Sequence, residues 1–412
     1  MRKMKDSGVR WIGKIPTKWT IAKAKNCVEI QNGSDPKTEG SIPVYGSGSM
    51  SFKTCGEYKE GPSVLIGRKG ATLHIPHYIS SKFWNVDTAF NVYSKSIFDL
   101  KYYFYCAHVF DYTLYMSQTT LPSMTQTAYE NMFLPLPTKE EQYAIANQLD
   151  QICSKIDAVL EKTRASIEEY KKLKQAVITQ AVTKGIRGDR PVKDSGIEWI
   201  GEIPAEWDVV RQKYFWNTVE SGVSVNAADK PVDNSEQYGV LKTSAVSKFV
   251  FIPTEHKQVN LEEYGRVSCP VRADSIIASR MNTPELVGAC GYVQNNYPNL
   301  FLPDRLWQIT FKDGLSPKYA WYYLSGIRVR QYISSLSTGT SSSMQNISQS
   351  QYGNIFITIP SIGEQSEITK YLDEKCRSVD ALVTKKQQYL IEIENYKKSM
   401  IYEYVTGKKE VV

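Results

Sequence analysis

The sequence predicts an α/β (α+β) chain in which two β-rich domains are separated by two long antiparallel coiled-coil helices, arranged as an internal pseudo-two-fold repeat. Three observations predict it: a fifteen-residue motif that occurs twice, a second repeat that runs along two uninterrupted helical segments, and two variable middles with the texture of strands and tight turns.

The motif comes first. Residues 5–19, with Trp11 and Trp19, return 188 residues later as 193–207, with Trp199 and Trp207, and ten of the fifteen positions are identical. The second repeat aligns Pro137, Glu141, Gln142, Ile145, Leu149, Asp150, Cys153, Asp157 and Ala158 with residues 223 positions on, from Pro360 to Ala381, and runs ungapped to Val182-Thr183 and Val405-Thr406. The chain is therefore two copies of one plan, the second with a longer middle. The predicted boundaries are 1–137 for the first β-rich domain, 138–185 for the first long helix, 186–360 for the second domain and 361–412 for the second helix.

Between 139 and 183 neither Pro nor Gly interrupts, and Ile145, Leu149, Ile152, Ile156, Val159, Thr163, Tyr170, Leu173 and Val177 follow the alternating three and four steps of a heptad seam. In the second copy the seam is Ile368, Leu372, Val379, Leu382, Tyr389, Ile393, Tyr396 and Met400, with Lys375 and Lys386 intruding. Thr138 and Ser361 are placed to cap the starts with Glu141 and Glu364 three residues on, and Gly185 and Gly407 to stop the ends. About 45 helical residues make a rod of roughly 65 Å, a spacer if the two helices pair and a plain structural coiled coil otherwise.

The middles contain short β-branched runs bounded by Gly, Pro and Ser, such as 42–49 and 64–70 in the first and 240–244 and 286–293 in the second. Each also holds one Tyr-rich helix, predicted near 101–116 and near 317–334.

Composition bounds the function. Of 412 residues, 42% are hydrophobic and 23% charged, enough for packed cores, and the net charge of +7 is too small by itself to name a polyanion partner. The seven Cys are scattered without a C-x-x-C pair, which argues against a disulfide framework or a zinc site. The N-terminus leads into no apolar signal core and about 18 apolar residues never run together, so the expected compartment is cytoplasmic and reducing. The four His lack ligand spacing, no phosphate-binding glycine loop ends in Lys-Ser/Thr, and the Asn-Pro-Pro-Tyr motif of amino-methyltransferases is missing, so the chain is expected not to be an enzyme and to hold no metal.

Charge is local instead. Residues 1–25 carry eight basic residues against one acidic, including Lys23 and Lys25, a segment suited to phosphate contact or simply to solvent. Arg68 and Lys69 sit between Gly67 and Gly70, where backbone can approach a polyanion while the arginine fork remains for guanine. Arg280 and Asn282, two residues apart, suit guanine and adenine edges. Ser341 and Ser342 belong to a hydroxyl-rich loop, 338–343, able to donate to phosphates or merely flexible. Lys242 and Thr243 complete the DNA-facing candidates. Arg68 or Arg280 holding a buried carboxylate is the alternative.

The organisation resembles the specificity subunits of type I restriction-modification enzymes over essentially the whole chain. The segments carrying the resemblance are the paired starts 8–16 and 196–204, the helix beginnings 134–142 and 359–365, the helix ends 181–183 and 404–408, and within the middles 64–70, 87–90, 279–287 and 302–307. It implies a non-catalytic subunit with two target-recognition domains, each reading one half of a bipartite, asymmetric site in double-stranded DNA, while the helices set the spacer. It further implies two modification subunits per chain, restriction subunits that translocate and cut, and S-adenosylmethionine, ATP and Mg2+ held by those partners rather than by this chain. The competing expectation is a coiled-coil scaffold or adaptor of a related phage-defence system.

Overall fold

The computed structural model describes residues 2–95, 98–117, 122–341 and 344–411. The chain divides into two compact units, Met1–Ser166 with Lys386–Val412, and Ile167–Lys385. Each unit thus takes part of both long helices, Lys139–Lys184 and Ile362–Val405.

The first unit is built on a four-stranded antiparallel sheet of β1 (Val28–Asn32), β2 (Ser63–Gly67), β3 (His77–Ile79) and β4 (Ala89–Ser94), in the order β1-β4-β2-β3. β2 is buried along its whole length, as its unbroken Val-Leu-Ile run requires of a strand covered on both faces. A smaller sheet joins Ile42–Tyr45 to Ser51–Cys55 and, in parallel, to Trp84–Asn85.

The second unit repeats this scheme. β5 (Trp216–Ser221), β6 (Ser275–Ser279), β7 (Cys290–Val293) and β8 (Leu306–Phe311) form an antiparallel sheet in the order β5-β8-β6-β7. Gly239–Leu241 likewise runs parallel to Tyr297–Phe301, here within a five-stranded sheet, which is where the longer middle is spent. A bulge between Trp216 and Thr218 inserts one residue into β5, so the repeat spacing is 188 at Val28 and Trp216 but 189 at Asn32 and Ser221.

The duplicated motif makes one hairpin turn twice. Asp6 accepts from the Gly8 amide and Asp194 from the Gly196 amide, both at 3.0 Å. Gly8, Gly13, Gly196 and Gly201 all have φ between +67° and +74°, a region where a side chain is strained, which accounts for the glycines shared by both copies. Ile12, Ile15 and Trp19 are buried in the first unit, and Ile200, Ile203 and Trp207 in the second.

Each motif packs on the end of one long helix and binds the start of the other. In the first unit, Met400, Ile401, Tyr404 and Val405 join the core with Trp19, whose indole donates to Glu141 at 3.0 Å. In the second, Ile178, Ala181 and Val182 join the core with Trp207, whose indole donates to Glu364 at 2.9 Å. Both helices stop at left-handed glycines, Gly185 and Gly407. The Thr138 cap forms in both directions with Glu141, whereas Ser361 accepts from the Glu364 amide and the Glu364 carboxylate binds Trp207 and Arg190.

Within each unit the two long helices run antiparallel. Lys397 reaches Asp157 at 2.6 Å and Arg164 reaches Glu394 at 2.7 Å in the first, and Lys174 reaches Asp380 and Arg187 reaches Glu367, each at 2.7 Å, in the second. The seam departs from the predicted heptads. Val159, Leu173, Leu382, Tyr389 and Tyr396 are exposed, while Leu160, Cys153 and Cys376 are buried and Lys174 and Lys397 turn inward. A strict 3.5-residue repeat slips against the 3.6-residue helix, and the Lys–Asp pairs form one residue past it, Asp157, Lys174, Asp380 and Lys397 each directly following a predicted seam residue.

The Tyr-rich helices are shorter than predicted. The first is Leu100–Ala107, followed by a 3-10 turn at Tyr112–Leu114, and the second breaks at Gly326, with extended backbone, into Pro317–Ser325 and Ile327–Leu336. Tyr102 donates from this layer to the carbonyl of Val405 at 2.8 Å, and Tyr319 does the same to Val182 at 3.1 Å. Among the described residues no helix is long and apolar enough to cross a membrane, and no group of three His, Cys, Asp or Glu is placed to hold a metal.

Candidate nucleic-acid interface

Arg68 and Arg280 stand at the same place in the two units, each directly after the fully buried central strand, β2 or β6. The Arg68 amide donates to the Thr88 carbonyl at 2.8 Å, and the Arg280 amide to the Arg305 carbonyl at 3.0 Å. Their own carbonyls accept from Met124 at 2.9 Å and from Ile347 at 3.0 Å. Among the described residues each guanidinium donates to the carbonyl of the neighbouring aspartate, Asp87 or Asp304, at 3.5 Å. Neither is paired with a carboxylate among the described residues, and both are half-buried, which removes the alternative of an arginine serving a buried acid. Arg68 also lies over the Phe90 ring, 5.8 Å from its centre, which orients the fork without saturating its donors.

The surroundings match as well. Lys69, exposed, bridges to Ser123 as Met281 pairs with Asn346, so one short antiparallel contact flanks the arginine in each unit. In the first unit Asn32, Arg68, Lys69, Phe90, Met124 and Gln126 line a shallow cavity. In the second, Met281–Asn282, Met344–Asn346 and Thr338–Ser341 form a three-stranded sheet that brings Arg280, Asn282 and the strand ending at Ser341 together. Asn282 accepts from the Thr283 amide at 2.9 Å, which leaves its amide nitrogen for other work. Ser342 lies outside the described residues.

The remaining candidates lie apart from this pair of loops. Lys23 points to Asn131 at 3.3 Å and over the Phe133 ring, on the strand pair Thr20–Lys23 and Phe133–Leu136, and Lys25 is exposed just after it. Arg2, from the same basic segment, is bound to Glu141 and Glu410 at 3.2 and 3.4 Å. Lys242 and Thr243 follow the strand Gly239–Leu241 in the five-stranded sheet, with Lys242 3.7 Å from Asp229.

One half-buried cation nearby has an internal role. Lys59 donates to Asn32, Asn85 and Asn91 carbonyl oxygens at 3.1, 2.9 and 2.6 Å, and burial pulls its ammonium down to about 8. The cysteines are likewise internal: burial pushes the thiols of Cys27, Cys153, Cys269, Cys290 and Cys376 up to about 11, the opposite of an activated nucleophile.

Two places with one frame and different side chains raise the question of what family this architecture belongs to. The family described as Type I restriction modification DNA specificity domain matches residues 16–169 and again 204–394, one match per repeat. The chain belongs to this specificity family. It is 27% identical over 307 residues to the type I restriction enzyme MjaVIII specificity subunit of Methanocaldococcus jannaschii, covering 71% of this chain and 66% of that one. It is 24% identical over 187 residues to the Escherichia coli EcoEI specificity subunit, covering 45% and 32% respectively, so it spans about two thirds and one third of these relatives' lengths. A solved chain from work on complex assembly and conformational transition of the type I R-M system shares the fold, with a TM-score of 0.69, 14% identity and coverage of 96% of this chain and 99% of that one.

Within this member of the specificity family, Arg68 falls in the first matched segment and Arg280 in the second. A residue outside the sequence candidates, Arg305, gives its carbonyl to the Arg280 amide, and its counterpart is Thr88. The signal was available: Asp87-Thr88-Ala89-Phe90 aligns with Asp304-Arg305-Leu306-Trp307 once the spacing is allowed to grow from 212 at Arg68 and Arg280 to 217 at Asp87 and Asp304.

Proposed function

We propose that the chain is the DNA sequence-recognition subunit of a type I restriction-modification complex. Each unit reads one half of a bipartite, asymmetric site in double-stranded DNA, and partner subunits carry out adenine methylation or restriction. The observation that carries this reading is the pair of arginine frames: one backbone geometry presented twice, with different neighbours, is what two different half-sites demand of a duplicated reader. In this reading modification subunits dock two per chain and restriction subunits join them in the cytoplasm, supplying S-adenosylmethionine, ATP and Mg2+, while the long helices hold the spacing between half-sites.

Duplex affinity measured against salt is the direct test. Phosphate contacts give a steep negative log–log slope, and the expected genomic counterpart is a bipartite methylated-adenine motif that disappears when the gene is deleted. A flat slope together with an unchanged methylation pattern would overturn the reading in favour of a scaffold.

A further inference from the structure

We propose that Arg305 is a specificity-determining residue for the half-site read by the second unit, and that Thr88 holds the corresponding place in the first. The proposal rests on the reading of this chain as a DNA-sequence reader.

The argument starts from what the two units share. Arg68 and Arg280 are fixed by the same four backbone features: the end of the central strand, an amide bonded to residue 88 or 305, a carbonyl bonded to residue 124 or 347, and a guanidinium lying against the carbonyl of Asp87 or Asp304. A shared frame positions a reader without choosing a base. The choice must then come from side chains that differ at corresponding points.

Residue 88/305 is such a point, and it is bonded directly to the shared arginine. The backbone carbonyl of this residue holds the arginine amide in both units, at 2.8 and 3.0 Å, so its side chain projects from a place the frame fixes. In the second unit that side chain is an exposed arginine immediately before β8, with no ion pair or side-chain hydrogen bond among the described residues. A solvated surface arginine is the plain alternative; against it stands the backbone bond to Arg280, which makes both arginine side chains leave one fixed frame. In the first unit the same place holds Thr88, half-buried, with Gly46 close by: a Cβ at Gly46 would lie 2.9 Å from the Thr88 hydroxyl.

The chemistry separates the two. An arginine fork donates twice to the O6 and N7 of guanine, whereas threonine offers one hydroxyl and a methyl group suited to thymine. The exposed carboxylates of Asp87 and Asp304, beside both arginines, repel phosphate and accept from the cytosine amino group, which also favours a base edge over the sugar-phosphate backbone at this point. The second unit therefore presents two adjacent forks, Arg280 and Arg305, where the first presents one fork and a threonine.

The test enriches bound sequences from a random duplex pool with the full chain and its Arg305→Thr, Arg305→Lys and Thr88→Arg variants, at one salt concentration. Arg305→Thr is expected to lose a guanine preference of about tenfold or more at one position of one half-site, with the other half unchanged. Thr88→Arg is expected to add a guanine preference in the opposite half. Arg305→Lys keeps the charge but not the fork, and is expected to lose the preference as Arg305→Thr does. Retained preference in Arg305→Lys, uniform weakening across all sequences in Arg305→Thr, or unchanged profiles in both would overturn the assignment while leaving the DNA reading intact. A wild-type chain that enriches no sequence and shows no salt slope would overturn the DNA reading, and the assignment with it. Unfolding midpoints equal to wild type confirm that the variants fold.

Discussion

The indole N–H of Trp207 donates to the Glu364 carboxylate at 2.9 Å, and Glu364, only 4% exposed, also holds Arg190 at 2.6 Å. The corresponding Trp19–Glu141 bond in the first unit uses a carboxylate that is 32% exposed and an arginine, Arg2, at 3.2 Å. The same joint is therefore sealed in one unit and open to water in the other. Truncating Glu364 to Ala leaves the buried Trp207 indole without its acceptor and Arg190 with only the exposed Glu206 and the Lys184 carbonyl, and is expected to cost about 2 kcal/mol, against about 1 kcal/mol for Glu141→Ala. Denaturant unfolding of the two variants checks the order, and equal losses would show that burial does not set it.

Gly407 and Gly8 separate backbone strain from crowding. Both have φ near +70°, but a Cβ on Gly407 would lie 2.5 Å from Pro16 while one on Gly8 meets open space. Gly8→Ala is expected to lose about 1 kcal/mol from conformation alone. Gly407→Ala, which must also displace the proline, is expected to lose more than about 2 kcal/mol, readable as a larger drop in unfolding midpoint.

His108 gives the first unit an acid-sensitive element. Burial pulls its imidazole down to about 4, with Lys397 and Lys398 adding to the depression and Asp157 opposing it. The folded state then binds fewer protons than the unfolded state between pH 4 and the ordinary value near 6.5. Stability is expected to be unaffected above pH 6.5 and to fall as pH drops below it, by up to about 3 kcal/mol. A His108→Gln chain should lose that part of the slope, and an identical pH–stability curve for both chains would rule it out.

Phosphate contact and base contact can be told apart at Lys69. This exposed lysine sits beside Arg68 without a carboxylate partner among the described residues, so Lys69→Ala is expected to reduce the log–log salt slope by about one while leaving sequence preference alone. Lys242, whose ammonium already lies 3.7 Å from Asp229, is expected to move the slope less when replaced by Ala. Binding isotherms between low and moderate salt decide both.

The repeats were legible because they rest on residues with local jobs. Asp6, Gly8 and Gly13 build a turn, Trp19 and Glu141 make a bond, and each reappears at a fixed spacing because nothing else does the same job. The heptad seam was legible at its ends, where Ile145, Leu149, Ile368 and Leu372 are buried, and misleading in the middle, where partner helix and charge pairs, not the helix's own pattern, choose which face turns in. The break at Gly326 was visible as a glycine but lay inside a strong apolar pattern. The kinship of Arg68 and Arg280 was hidden because loops of unequal length shift the spacing from 188 to 212 to 217 across one domain, and only strand pairing shows that they occupy one place.

The core of the first unit includes Met400, Ile401, Tyr404 and Val405, whereas the second unit draws on one continuous stretch, Ile167–Lys385. On the ribosome this reverses the order of completion. The domain that emerges first waits, with its Trp19 and Tyr102 pockets unfilled, until the last helix turns have been translated, and the domain that emerges second is finished before it. A nascent chain therefore carries an open apolar surface until residues 400–405 have been made, and shortening the second long helix by two turns at that end would damage the first unit rather than the one beside it in sequence.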